Sequence, residues 1–346
     1  MQIADFDYQL PEELIAQHPL EQRDAARMLV LNRARRSWHD YQFAELPSLV
    51  RAGDCVVLNN TRVFPARLIG AREPSGGRVE LFLINEREPQ VWEALARPAR
   101  RLQKGARVSF GVGQLRAEVV EALEEGRRLL RFDCNESFEA LLEELGQTPL
   151  PPYIKREGEG TRTDRERYQT VYARERGAIA APTAGLHFTP QVLEELKERG
   201  AHIAEVTLHV GYGTFEPVRV LDLNEHRVAP ESSVISPETA AIINETRAGG
   251  GRILAVGTTT TRALESAVSE EEGRIEAGAR LAQLTITPGY KFRAVDALLT
   301  NFHLPRSSLL VLVSSFAGRD LVLAAYRHAV AARYRFYSYG DCMLII

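Results

Sequence analysis

The chain has 346 residues, 45% of them hydrophobic and 26% charged, room for two domains at about 150 residues each and outside the range of disordered or fibrous chains. Lys and Arg number 43 against 46 Asp and Glu, a formal net charge of −3, which argues against a protein whose main task is coating nucleic acid. No run approaches the ~18 unbroken apolar residues of a membrane span, the acidic start MQIADFDYQLPEEL does not read as a signal peptide, and three scattered cysteines (Cys55, Cys134, Cys342) argue against a disulfide framework or zinc site and suit a reducing cytoplasm.

In chain order, a short acidic helix is expected over 11–16 and strands over 28–32 and 55–58. From about 66 to 145 the texture changes to short apolar runs, 79–84, 92–96, 108–110, 117–120 and 129–132, broken by Gly, Pro and charged turns. Such spacing predicts a small all-β barrel. A helix over 137–146 and a Pro-rich hinge, TPLPPYI, close this block. The pattern then becomes α/β. Strands are expected over 178–181, 201–210, 253–256 and 281–286, with helices after Thr189, after Ser236 and over 262–268, and two long elements over 307–316 and 321–333. The fold class expected is therefore α/β: a discontinuous, barrel-like main domain of residues 1–65 and 148–346, with a small all-β barrel inserted over 66–147.

Polar clusters beside Gly or Pro mark where a tight backbone presents groups to a ligand. LNNTRVFPARL places Asn59, Asn60, Thr61 and Arg62 at a strand end, a ligand position in α/β folds or an Asn-capped turn. APTAGLHFT holds Thr183, Gly185 and His187, a turn suited to an anion with a histidine poised for proton transfer, although a lone histidine is more often structural. TLHVGYGTFEPV carries His209, Gly211, Gly213, Thr214 and Phe215, but lacks the third glycine of a dinucleotide fingerprint. ILAVGTTTTRALES offers Gly257, Thr258 and Thr259 in a loop between a strand and a helix, where loop amides and hydroxyls bind an anion; Arg262 and Glu265 share a face, Glu265 as a ribose-hydroxyl acceptor or as half of a surface ion pair worth ~0.5 kcal/mol. LLTNFHLPRSSLL contributes Asn301 and His303, and YRFYSYGDCMLI reads foremost as an aromatic core strand. No metal spacing and no serine-hydrolase elbow occur. The basic run RPARRLQKGAR (Arg97, Arg100, Arg101, Lys104, Arg107) suits either a polyanion or a solvated face.

These blocks, together with DFDYQLPEELIAQHPLEQRDAARMLVL, PLPPYIKR, ERYQTVYA and TNFHLPRSSLLVLVSSFAG, occur in an order that resembles the queuosine-biosynthesis family of S-adenosylmethionine:tRNA ribosyltransferase-isomerases from end to end, least from 110 to 145. The resemblance implies a discontinuous α/β domain with an inserted β-barrel. It implies transfer and isomerisation of the ribosyl part of S-adenosylmethionine onto 7-aminomethyl-7-deazaguanine at a tRNA wobble position, giving epoxyqueuosine, adenine and methionine. S-adenosylmethionine is then a consumed substrate; no separate cofactor and no metal are expected, and a cytoplasmic monomer is.

The chemistry needs an acid and a base near neutrality, so His187, His209 and His303 are expected to share one cleft as catalytic groups. Around them Asn59, Thr61, Arg62, Thr183, Gly185, Gly211, Gly213, Thr214, Phe215, Gly257, Thr258, Thr259, Arg262, Glu265 and Asn301 are expected to bind S-adenosylmethionine or the modified base. Arg97, Arg100, Arg101, Lys104, Arg107, Lys155 and Arg156 are expected on the tRNA. Two departures from the family pattern stand out. Asn60 replaces an aspartate, which moves any carboxylate role to Asp54 or Glu265, and HRVAPE retains His226 and Glu231 but loses a second histidine, leaving His226 a minor contact. The competing readings are a non-enzymatic RNA-binding module and a doubly wound methyltransferase.

Overall fold

The computed structural model describes residues 1–156, 162–215, 218 and 220–346. It divides into two compact units, one of Met1–Arg62, Pro152–Lys155 and Gln169–Ile346, the other of Val63–Pro151 and Arg156–Tyr168.

The first unit is built on a nine-stranded mixed sheet. At its centre Cys55–Asn59 lies parallel to His202–Leu208 on one side and to Ile253–Val256 on the other, and Ala297–Asn301 continues the parallel set. Apolar runs such as CVVLN and ILAV are buried along their whole length, as strands covered on both faces must be. Cys342–Ile345 joins antiparallel to Ala297–Asn301 and parallel to Arg27–Asn32. Glu231–Ile235 and Gly278–Ala282 extend the other side, both pairings antiparallel. The α/β class holds, but the strand order has two edges, Gly278–Ala282 and Ser37–Gln42, so the barrel-like expectation for this unit gives way to an open sheet.

Helix starts follow local chemistry. Thr189 Oγ1 accepts from Val192 N at 3.2 Å, Ser236 Oγ from Thr239 N at 3.1 Å and Ser307 Oγ from Leu310 N at 3.2 Å, each satisfying an amide the helix leaves open. Some expected bounds shift. The helix expected over 262–268 is Thr258–Glu265, because Gly257 at φ 94° turns strand directly into helix. Thr260 and Thr261 hydroxyls then bond back to the Val256 and Gly257 carbonyls. The strand expected over 281–286 is Gly278–Ala282, that over 178–181 is Glu175–Ala178, and the N-terminal helix shrinks to a 3-10 turn, Glu12–Leu14.

The second unit is a closed antiparallel barrel. Arg67–Glu73, Gly77–Glu88, Val91–Arg97, Arg127–Cys134, Leu115–Ala122 and Arg107–Phe110 pair in that order, and Arg107–Phe110 closes on Arg67–Glu73. Leu115–Ala122 shows the in–out alternation of a small barrel, with Leu115, Ala117 and Val119 inside. The segment Arg156–Tyr168 belongs here too: Arg165 donates to the Glu143 carbonyl at 2.8 Å, and within the segment the Arg156 guanidinium grips Asp164 (2.8 to 3.2 Å). Among the described residues no single helix is long and apolar enough to cross a membrane.

Candidate active site

The parallel strands of the main sheet end on one edge, and their last residues are the polar clusters. Val206 pairs with Asn59, Val57 with Ala255 and Val256 with Leu299, so Asn59–Arg62, His209–Gly211, Gly257–Thr259 and Asn301–His303 emerge side by side. The antiparallel neighbours enter at the same edge: Cys342 is opposite Asn301, and Glu231 precedes Ser233, opposite Leu208. Carboxyl ends of parallel strands collect ligand-binding loops because adjacent loops diverge there and leave a crevice.

The side chains divide by what they already hold. Asn59 is wholly buried, and its amide bridges strands: Nδ2 donates to Leu208 O (2.9 Å), and Oδ1 accepts from Leu208 N (3.0 Å) and Thr61 N (3.2 Å). It is a brace rather than the substrate contact expected of it. Asn60 donates to Glu205 Oε2 at 3.1 Å and accepts from Thr207 Oγ1 at 2.7 Å; an aspartate here would face Glu205 with like charge. Thr61 Oγ1 lies 2.8 Å from His209 Nδ1, while Arg62 is exposed. His187 Nε2 lies 3.3 Å from Asn301 Nδ2, and Asn301 Oδ1 is buried with no partner among the described residues, as is Thr259 Oγ1. Gly185 lets the Thr183–His187 turn approach closely, since a Cβ there would overlap Tyr172 Oη and come within 2.8 Å of Thr170 Cγ2. The side chains of Thr214 and Phe215 lie outside the described residues.

Two expected carboxylates sit elsewhere. Glu265 accepts from the Arg293, Ala294 and Val295 amides and from Tyr290 Oη at 2.9 to 3.2 Å. Those amides precede strand Ala297–Asn301, at the opposite edge from Asn301. Asp54 precedes strand Cys55–Asn59 on that same far edge and clasps Arg252 (2.5 and 3.0 Å). Neither reaches the strand-end crevice.

The three expected catalytic histidines share the edge, but none of them lines the cleft described next. The cleft at this edge is lined by Gly213, His226, Glu231, Thr285, Ser308 and Tyr337, among others, and by none of His187, His209 and His303. Burial, with Arg335 and Arg23 nearby, lowers the His187 pKa to about 4, and burial alone takes His303 to about 3. His303 Nε2 is 2.8 Å from Thr300 Oγ1. His209 is held below its ordinary value by burial, against the opposing pull of Glu175. Arg262 lines the cleft with its guanidinium already engaged: it is paired with Glu231 at 2.5 Å and donates to the Ala282 carbonyl at 2.8 Å. Glu231 in turn accepts from Gly211 N at 2.9 Å. His226, given a minor part from sequence, lies in the cleft with Nε2 2.9 Å from Ser308 Oγ. Among the described residues no group of three His, Cys, Asp or Glu could hold a metal ion.

On the barrel unit, Arg97, Arg100, Arg101 and Lys104 are exposed. The buried Arg128 guanidinium binds the carbonyls of Ala99 and Leu102, which gives the basic loop a fixed backbone. Three other basic residues are occupied: Arg107 pairs with Glu118 (3.2 Å), Lys155 with Glu12 (2.6 Å) and the largely buried Arg156 with Asp164.

A sequence model of the family described as "Queuosine biosynthesis protein" matches residues 3–345. The chain belongs to this family. Among its members, S-adenosylmethionine:tRNA ribosyltransferase-isomerases from Desulfitobacterium hafniense and Symbiobacterium thermophilum are 50% and 52% identical to it over 346 residues, covering all of both chains. The crystal structure of a Thermotoga maritima S-adenosylmethionine tRNA ribosyltransferase is 38% identical, with a TM-score of 0.56, covering 99% of this chain and 100% of that one. The family assignment makes the chain an enzyme of queuosine biosynthesis.

Proposed function

We propose that the chain transfers the ribosyl part of S-adenosylmethionine to 7-aminomethyl-7-deazaguanine at a tRNA wobble position and isomerises it, yielding epoxyqueuosine, adenine and methionine. The observation that carries this is the gathering of the strand-end loops and a cleft of mixed polar and apolar lining at one edge of the main sheet, in a chain that matches ribosyltransferase-isomerases over its whole length. S-adenosylmethionine is consumed as a substrate, and no separate cofactor takes part.

The chemistry sets what the site must do. The sulfonium acidifies the neighbouring 5′ protons, so a neutral base can remove one. Adenine leaves more readily with a proton on a ring nitrogen, and the attacking amine must be uncharged. With pKa values of about 4 and 3, His187 and His303 stay neutral at pH 7 and are poor proton acceptors there. They serve better as hydrogen-bonding groups toward uncharged parts of the substrates, alongside the unpartnered Asn301 Oδ1 and Thr259 Oγ1. The exposed Arg97, Arg100, Arg101 and Lys104 take tRNA phosphates.

Incubation with S-adenosylmethionine labelled separately in the methyl and ribose groups, and a tRNA bearing the deazaguanine amine, tests this. Ribose label in the tRNA with stoichiometric adenine release is expected. Methyl label, or no label with tRNA merely bound, overturns it in favour of a methyltransferase or a binding module.

A further inference from the structure

We propose that His226 is the base that takes the 5′ proton of S-adenosylmethionine and that Ser308 is the positioning residue that holds its ring for this task; the inference rests on the ribosyltransferase reading of the cleft. The groups that line the cleft narrow the choice. Glu231 is saturated by Arg262 and the Gly211 amide. Arg306 is paired with Asp7. The Tyr337 phenol, pushed up to about 12 by burial, keeps its proton. His226 is the remaining titratable side chain lining it among the described residues. Burial and the adjacent Arg227 hold it below the ordinary histidine value, so at neutral pH it is an uncharged base.

Its backbone is fixed on both sides, and one hydrogen bond holds its ring. The His226 amide donates to Leu223 O at 3.2 Å, and Val228 N donates to Thr285 Oγ1 at 3.1 Å, fixing the backbone on both sides. Arg227 turns its guanidinium back to the Asn224 and His226 carbonyls, 2.7 Å each. Ser308 opens helix Ser308–Ala317, whose cap is supplied by Ser307. The Ser308 hydroxyl is therefore not needed by the helix and sits on a rigid element 2.9 Å from Nε2. With Oγ accepting from Nε2–H, the lone pair is on Nδ1, which has no partner among the described residues. In the step, the C5′–H bond breaks, its electron pair stays on carbon beside the positive sulfur, and the proton goes to Nδ1, from which it passes to the departing adenine. Ser308 stabilises the imidazolium through the same hydrogen bond.

The test is turnover of His226→Gln, Ser308→Ala and Ser308→Thr with saturating tRNA, as kcat and S-adenosylmethionine KM across pH 5 to 9, with thermal unfolding of each variant alongside. His226→Gln is expected to lower kcat by about 10²- to 10³-fold, the usual weight of a general base, with KM within about threefold. Ser308→Ala is expected to lower kcat about tenfold and move the acid limb of the profile to lower pH, because the imidazolium loses its acceptor. Ser308→Thr restores both rate and limb. A His226→Gln enzyme of wild-type kcat overturns the base; a Ser308→Ala profile superimposable on wild type, or a Ser308→Thr enzyme no better than Ser308→Ala, overturns the positioning role. In either case a wild-type enzyme that still moves ribose label into tRNA leaves the function intact, whereas a wild-type enzyme that moves none removes the function itself.

Discussion

At the residue scale, burial decides what each histidine can do. His187 and His303 are each 5% exposed, and taking an imidazolium out of water costs more than taking out the neutral ring. Their folded values of about 4 and 3 lie below the ~6.5 of an unfolded chain. Above pH 6.5 both states are neutral and pH has no leverage through these groups. As pH falls from 6.5 toward 4, only the unfolded chain takes up protons, so stability must fall. A His303→Gln variant removes one such group, and its urea midpoint should fall less between pH 7 and pH 5 than that of the wild type. Equal falls would mean the ring is not desolvated. The sequence marked both histidines as special but offered no measure of their burial, because neighbours in space, such as Tyr8 bonding the His303 carbonyl across 295 positions, leave no trace in spacing.

At the element scale, the strand-to-helix passage at Gly257 and the Thr183–His187 turn bring the edge together. Four consecutive threonines have modest helix propensity, which is why the helix was expected to start at Arg262. Burial of all four and the back-bonds of Thr260 and Thr261 override that preference. The turn depends on Gly185 passing Tyr172, whose hydroxyl is buried without a partner among the described residues. Gly185→Ala should cost about 1–3 kcal/mol through overpacking. Tyr172→Phe, which removes the obstructing oxygen, should be near neutral alone and recover part of that loss in the double variant, read from chemical denaturation. Strictly additive effects would place the two groups out of contact.

At the scale of the whole molecule, charge is patterned in local patches. A net charge of −3 hides an exposed basic loop on the barrel unit. Reversing Arg100 and Arg101 to Glu should weaken tRNA binding and make its dependence on salt shallower by about 2 in the log–log slope, one for each lost phosphate contact. S-adenosylmethionine binding, measured by calorimetry, should not change. An unaltered tRNA affinity would remove this loop from the interface. Lys155 and Arg156 looked equivalent to Arg100 in the sequence. Their carboxylate partners, Glu12 and Asp164, became visible only with the fold.

The sequence alone determined the family, through the resemblance of its ordered motif blocks, and the α/β class and the β-rich insertion, because buried parallel strands must be apolar throughout and a small barrel must alternate. It also singled out the polar blocks that end those strands. What each polar group holds was decided by tertiary structure: Asn59 bridges to Leu208, 149 residues away, and His187 meets Asn301 across 114. Such pairings follow from sheet register, which depends on how distant strands pack, so a buried brace and a waiting ligand group look alike until the chain is folded.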